Sequence, residues 1–141
     1  MLMRLLVGCS LMALCVIIHA GGVTWALRRL RETAIPKGFW RSTWLFVLVA
    51  LWIVLLHVLE ILLWAIVYMW NGAIPDVPSA IYFSAVTYTT TGYGDIVLPP
   101  EWRLDAGMEA LTGILMCGWS TGFFFAIVSR LYGPQSTTTR P

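Results

Sequence analysis

The sequence predicts an all-α membrane protein, and three observations carry that expectation. Of 141 residues, 59% are hydrophobic and 11% charged, with mean hydropathy +0.79; soluble domains carry about 25% charged residues. Three apolar stretches, near 5–27, 43–70 and 106–131, each reach the roughly 20 residues that a helix rising about 1.5 Å per residue needs to cross about 30 Å of hydrocarbon. Between the second and third lies a mixed segment, 71–102, holding four of the seven prolines. It is too polar to cross alone and too apolar for a free loop. The net charge of +2 is too small to suggest nucleic acid.

The first stretch, assigned to an N-terminal unit 1–30, has some marks of a signal peptide: Arg4, an apolar run, then Ala20-Gly21-Gly22. Against this, Ile18 stands where a cleavage site wants a small residue, and the apolar run continues through Val23 to Leu27. A retained helix is expected. A basic loop, 31–42, follows; Arg28, Arg29, Arg31, Lys37 and Arg41 cluster there or beside it, and Arg130 and Arg140 follow the last span. Only Arg4 and Arg103 fall on the other side. The positive-inside rule then sets the loop and the C-terminus in the cytoplasm, with the N-terminus and segment 71–102 outside. Trp25, Trp40 and Trp44 mark the inner interface, and Trp70 and Trp102 the outer. Asp76, Asp95, Glu101 and Asp105 gather at the outer mouth. The expected location is multi-pass in a plasma membrane, a bacterial inner membrane in particular, with the lipid bilayer as a partner.

The second span is expected over 43–70 and should tilt or protrude, being longer than the bilayer requires. After it, Asp76 or Ser79 suits a helix N-cap, and Pro78 a first turn. A helix over 79–89 would be about 16 Å long at 1.5 Å per residue, half a membrane. Non-helical backbone at that depth is tolerated only where protein buries it or water reaches it. At this point stands Thr89-Thr90-Thr91-Gly92-Tyr93-Gly94-Asp95. A backbone whose successive carbonyls point to one side must alternate ordinary and positive φ. Gly92 and Gly94 adopt positive φ at no steric cost. One such strand offers too few oxygens to replace a hydration shell. Four around an axis offer rings of four, so the run predicts a closed cyclic tetramer.

Thr90-Thr91-Gly92-Tyr93-Gly94-Asp95 resembles the Thr-x-Gly-Tyr-Gly-Asp signature of potassium channel pore domains, and YFSAVTYTTTGYGDIVLP is similar to the pore helix and filter of small bacterial channels and two-pore-domain channels. The resemblance covers roughly 43–131. It implies a pore domain over 43–132, with outer helix 43–70, a re-entrant pore helix 79–89, filter 90–95 and inner helix 105–131, then a short tail 133–141. The extra first span packs outside that core. The resemblance further implies that the Thr90 hydroxyl and carbonyl form the innermost K+ site and the carbonyls of Thr91, Gly92 and Tyr93 the upper sites. Gly94 would set the entrance and Asp95 the outer mouth. Tyr82, Phe83 and Val86 would support the filter. K+ is the permeant ion, no cofactor is expected, and the partners are three identical subunits. Two departures stand out. Thr91 occupies a position more often Val or Ile, so its hydroxyl needs a partner behind the filter. Val86 replaces a glutamate that in some members pairs with the filter-end aspartate.

Other residues carry two readings each. Gly113 and Gly118 suit either a gating hinge or close helix packing, and Gly122 follows at Gly-x-x-x-Gly spacing. His57 and Glu60, three apart on one face, are either a structural hydrogen-bonded pair, mutual or with the pore helix, or a pH-linked pair. His19 suggests an interhelical contact and Glu109 a place behind the pore helix. Ser120 and Thr121 either line the cavity or bond back to their helix. The three cysteines, Cys9, Cys15 and Cys117, sit in apolar runs and read as small buried hydrophobes. No span carries the repeated basic residues of a voltage sensor. With no Gly-x-Ser-x-Gly elbow or metal-ligand spacing, the expectation is not an enzyme but a potassium-selective channel. The alternative is a non-conducting or weakly selective accessory subunit that retains the filter run.

Overall fold

The computed structural model describes residues 2–33 and 38–132; Lys37 and the tail 133–141 with Arg140 lie outside the described residues. The described residues are all helical or irregular. Helix α1 is Leu2–Glu32, α2 is Phe39–Trp70, α3 is Val77–Tyr88 and α4 is Arg103–Tyr132, with a single 3-10 turn at Pro100–Trp102 before α4. Three of these, α1, α2 and the Pro100–Tyr132 helix, are long and apolar enough to cross a membrane. All three extend beyond the apolar runs, and the arginines in each extension propagate helix as readily as leucine does.

Side-chain contacts fix the helix directions. The Arg4 guanidinium lies 3.3 Å from the Trp102 ring centroid, Gly8 faces Met108, and His19 meets Ser120, so α1 runs parallel to α4. Gly22 abuts Leu56 and accepts a hydrogen bond from Trp52 Nε1 at 3.1 Å, and His19 reaches Glu60, so α2 runs antiparallel to both. The start of α1 therefore shares one end of the bundle with segment 71–102. The basic residues Arg28, Arg29, Arg41 and Arg130 share the other.

Apolar surface gains little by leaving lipid, so such helices associate through close packing and interhelical hydrogen bonds. Gly8, Gly22 and Gly113 supply the first: a Cβ at any of them would collide with Met108, Leu56 or the Tyr88 backbone carbonyl. One apolar cluster, including Leu11, Trp64, Tyr68, Phe83, Tyr88 and Met116, fills the end holding α3. A second, with Val23, Ile53, Leu56, Phe123 and Ile127, fills the basic end.

Several sequence expectations change here. Trp102 is buried beneath Arg4, its ring 6.0 Å from that of Tyr68, and does not mark an interface. Trp25, Trp40, Trp44 and Trp70 are exposed as interfacial tryptophans are. Asp105 is buried, with no hydrogen-bond partner for either carboxylate oxygen among the described residues; Arg4 is the cation whose field reaches it. It does not belong to an exposed acidic mouth. Of the cysteines only Cys15 is buried; Cys9 and Cys117 face outward, where apolar surroundings cost a thiol little.

Candidate functional site

The site is built from the end of a short helix. α3 begins two residues before the expected 79 because Asp76, not Ser79, is the N-cap: its carboxylate accepts from Ser79 N at 2.9 Å, with proline in the first turn. Twelve residues later the helix ends at Tyr88. The chain then doubles back on the last turn. Thr90 N donates to Thr87 O at 2.9 Å, while Thr91 N and Gly92 N both donate to Val86 O at 2.8 and 3.0 Å. Val86 thus contributes its carbonyl rather than its side chain.

From here the backbone alternates. Thr90, Gly92 and Gly94 have φ of 58°, 52° and 79°, and among the described non-glycine residues Thr90 alone has positive φ. The sequence anticipates the two glycines but not Thr90. A β-branched residue there is a true outlier, costing about 1–2 kcal/mol against the right-handed region. This alternation of φ sign is the backbone pattern that a one-sided row of carbonyls requires.

The flanking side chains are tied locally. Thr89 Oγ1 bonds to Ala85 O at 2.7 Å and lies 3.0 Å from Thr91 Oγ1, which supplies the partner that the Thr91 hydroxyl needs. Asp95 accepts from the Tyr82 hydroxyl at 2.7 Å, so a tyrosine one turn earlier takes the place of the carboxyl that Val86 lacks. This bond to a carboxylate holds the Tyr82 pKa above that of an ordinary tyrosine. Phe83 is buried, edge-on to Tyr68 at 5.5 Å. Tyr93 is 73% exposed within the single chain.

Two buried polar clusters hold α3 in place. Behind its middle, Ser84 Oγ bonds to Ile61 O at 2.8 Å and to Glu109, and Tyr68 donates to Glu109 at 2.9 Å, which puts Glu109 behind the helix as expected. Below its last residue, Glu60 accepts from the Tyr88 hydroxyl and lies 3.0 Å from His19 Nδ1. His57 is not hydrogen-bonded to Glu60, whose nearer oxygen is 3.8 Å away. It contacts Tyr88 and Ser120 instead, at 3.0 and 3.1 Å. Sequence spacing puts His57 and Glu60 on one face but misses His19, Tyr88 and Ser120. The available signal is that the chain has two histidines, each in mid-span. His19, His57 and Glu60 bring ligand atoms within 4.8 Å of one another. In the structure those atoms are engaged in hydrogen bonds with one another and with Tyr88 and Ser120. Thr121 bonds back to Cys117 O at 3.0 Å, whereas Ser120 is buried in the bundle and bonds to both histidines.

Gly113 meets the Tyr88 carbonyl so closely that no side chain fits, which gives it a packing role; Gly118 and Gly122 meet no other element of the chain.

A family model described as "ion channel" matches residues 45–130, more than half of the chain. The chain belongs to this ion channel family. Neither a curated protein nor a solved structure matches. The ion channel match covers nearly all of α2 and α4 and the whole of α3 and the 89–95 run, and begins after α1. Span α1, with His19, lies outside the matched residues.

Proposed function

We propose that this multi-pass membrane protein is a potassium-selective channel subunit, four copies of which surround one pore. The observation that carries the reading is the alternation of φ at Thr90, Gly92 and Gly94, on a short helix between two spans of an ion channel chain. Such a strand offers carbonyl ligands, and fourfold symmetry multiplies each into a ring. In this reading the Thr90 hydroxyl and carbonyl bind the innermost ion, and the carbonyls of Thr91, Gly92 and Tyr93 bind those above. Gly94 sets the entrance and Asp95 the mouth. α3 enters from outside and stops at mid-membrane, the N-terminus is outside and the basic end is cytoplasmic. Exposed, unpaired backbone at that depth is untenable in lipid, so neighbouring copies must cover it.

Reconstitution into liposomes tests this. The expected result is a K+ or Rb+ flux far above that of Na+, with Tyr93→Asp losing the preference because a carboxylate cannot pack between α3 helices as the ring does. Equal Na+ and K+ permeability in the unmodified protein would overturn the reading. Absence of any flux from a verified tetramer would favour the accessory subunit.

A further inference from the structure

Five hydrogen-bond contacts close a ring inside the bundle. Glu60 Oε1 meets His19 Nδ1 at 3.0 Å, His19 Nε2 meets Ser120 Oγ at 3.1 Å, and Ser120 Oγ meets His57 Nε2 at 3.1 Å. His57 Nδ1 then meets the Tyr88 hydroxyl at 3.0 Å, and that hydroxyl returns to Glu60 Oε2. Each contact needs one proton between its two heavy atoms. With Glu60 a carboxylate and both imidazoles neutral, His19, His57, Ser120 and Tyr88 bring one proton each, one fewer than the five contacts. However tautomers and hydroxyls are turned, one contact sets lone pair against lone pair. The ring also then carries a net negative charge around a fully buried Glu60, which is costly in a membrane span. One added proton removes both faults. Placed on His19, on His57 or on Glu60, it lets every contact hold a proton and makes the ring neutral overall.

We infer that this ring is a binding site for a single exchangeable proton, shared among His19, His57 and Glu60. The titratable groups outside the ring whose charge would reach it are Cys15 on α1 and, from the outward side of α4, Cys117; Glu109 lies beyond Cys15. None is a cation that would substitute for the proton. Glu60 and His57 belong to α2, Tyr88 to α3, Ser120 to α4 and His19 to α1, so the ring joins all four helices. Tyr88 directly precedes the 89–95 run, and its carbonyl abuts Gly113. Losing the proton opens one contact in a ring whose Tyr88 member stands at the foot of that run. The consequence for conduction rests on the channel reading; the proton count does not, so the two fail separately.

The test is nitrogen NMR of both imidazoles in the full chain in lipid nanodiscs, across about pH 5 to 8, where histidine changes charge. Coupled groups share macroscopic steps, so His19 and His57 should move together with one midpoint and one proton between them. Ser120→Ala removes two contacts and one proton without touching a titratable group. Three contacts and three protons remain, no deficit is left, and the common step should split into two. Ser120→Thr keeps the hydroxyl and should restore the common step. Helix content by circular dichroism verifies that each variant is folded. Separate midpoints in the unmodified protein overturn the inference even where Ser120→Ala does not fold. A folded Ser120→Ala that keeps the common midpoint overturns it as well.

Discussion

At Thr90 the chain accepts a conformation that glycine would hold without strain, and the residues around it show why a threonine is kept. Its backbone is pinned by the bond from Thr90 N to Thr87 O, and in the proposed channel its hydroxyl is a ligand that glycine lacks. Gly92 presents the opposite case. Its φ is 52° and a Cβ there would meet nothing within 4 Å in its own chain, so within one subunit Gly92→Ala costs conformational energy alone. The expected loss is about 1–2 kcal/mol per chain, read as a lower denaturation midpoint in detergent. Tyr82→Phe tests the Asp95 contact. The variant should assemble as the unmodified protein does, yet sustain less flux, since Asp95 then has no donor and the end of the run is untethered. Because the Asp95 bond raises the Tyr82 pKa, the contact is present below the ordinary tyrosine value of about 10. It is lost only as pH rises through the higher folded value. Unmodified protein should therefore match Tyr82→Phe only in strong alkali. A drop in flux near neutrality confined to the unmodified protein would point to another group.

Between elements, two glycines of α4 make opposite predictions. Gly107→Ala meets nothing within 4 Å and should be neutral or stabilising by roughly 0.5–1 kcal/mol, since alanine is the better helix former. Gly113→Ala drives a methyl into the Tyr88 carbonyl. The chain must separate α3 from α4, at about 1–3 kcal/mol for such overpacking, and thermal melting in detergent should fall accordingly. Similar melts for both would show that α4 shifts freely along α3. The existence of each helix was legible, because apolar run length and an Asp-Val-Pro-Ser start are local properties. The start of α3 was open between Asp76 and Ser79, since both residues cap and only the folded loop decides. What joins the helices was not legible. Glu60 and His19 are 41 residues apart, and no local pattern states which faces of α1 and α2 meet. Gly113 illustrates the same limit: a glycine in a span suggests close packing or a hinge, and only the fold shows that a carbonyl comes close.

Across the whole molecule, the 89–95 run is, Thr90 apart, the part most fully written in the sequence, because the positive φ of Gly92 and Gly94 is encoded by the residues that adopt it. Charge at the mouth is not, because burial depends on neighbours: Asp105 reads as one more outer carboxylate but lies buried near Arg4 and Trp102. The carboxylates left exposed at that end are Asp76, Asp95 and Glu101. If four copies surround a pore, each is repeated fourfold, and their field should concentrate cations at the entrance. Asp76→Asn with Glu101→Gln removes charge while leaving a side chain that still caps α3 and leaving Asp95 on Tyr82. The Debye length is about 30 Å at 0.01 M salt and about 8 Å at 0.15 M, so an effect of charge alone must fade between them. Inward K+ conductance of the double variant should be clearly lower than that of the unmodified protein at low salt and nearly equal at high salt. Asp105→Asn should show no such salt dependence, since its charge never faces the entrance. A loss in the double variant that persists at 0.15 M would mean that Asp76 or Glu101 holds structure rather than supplying field.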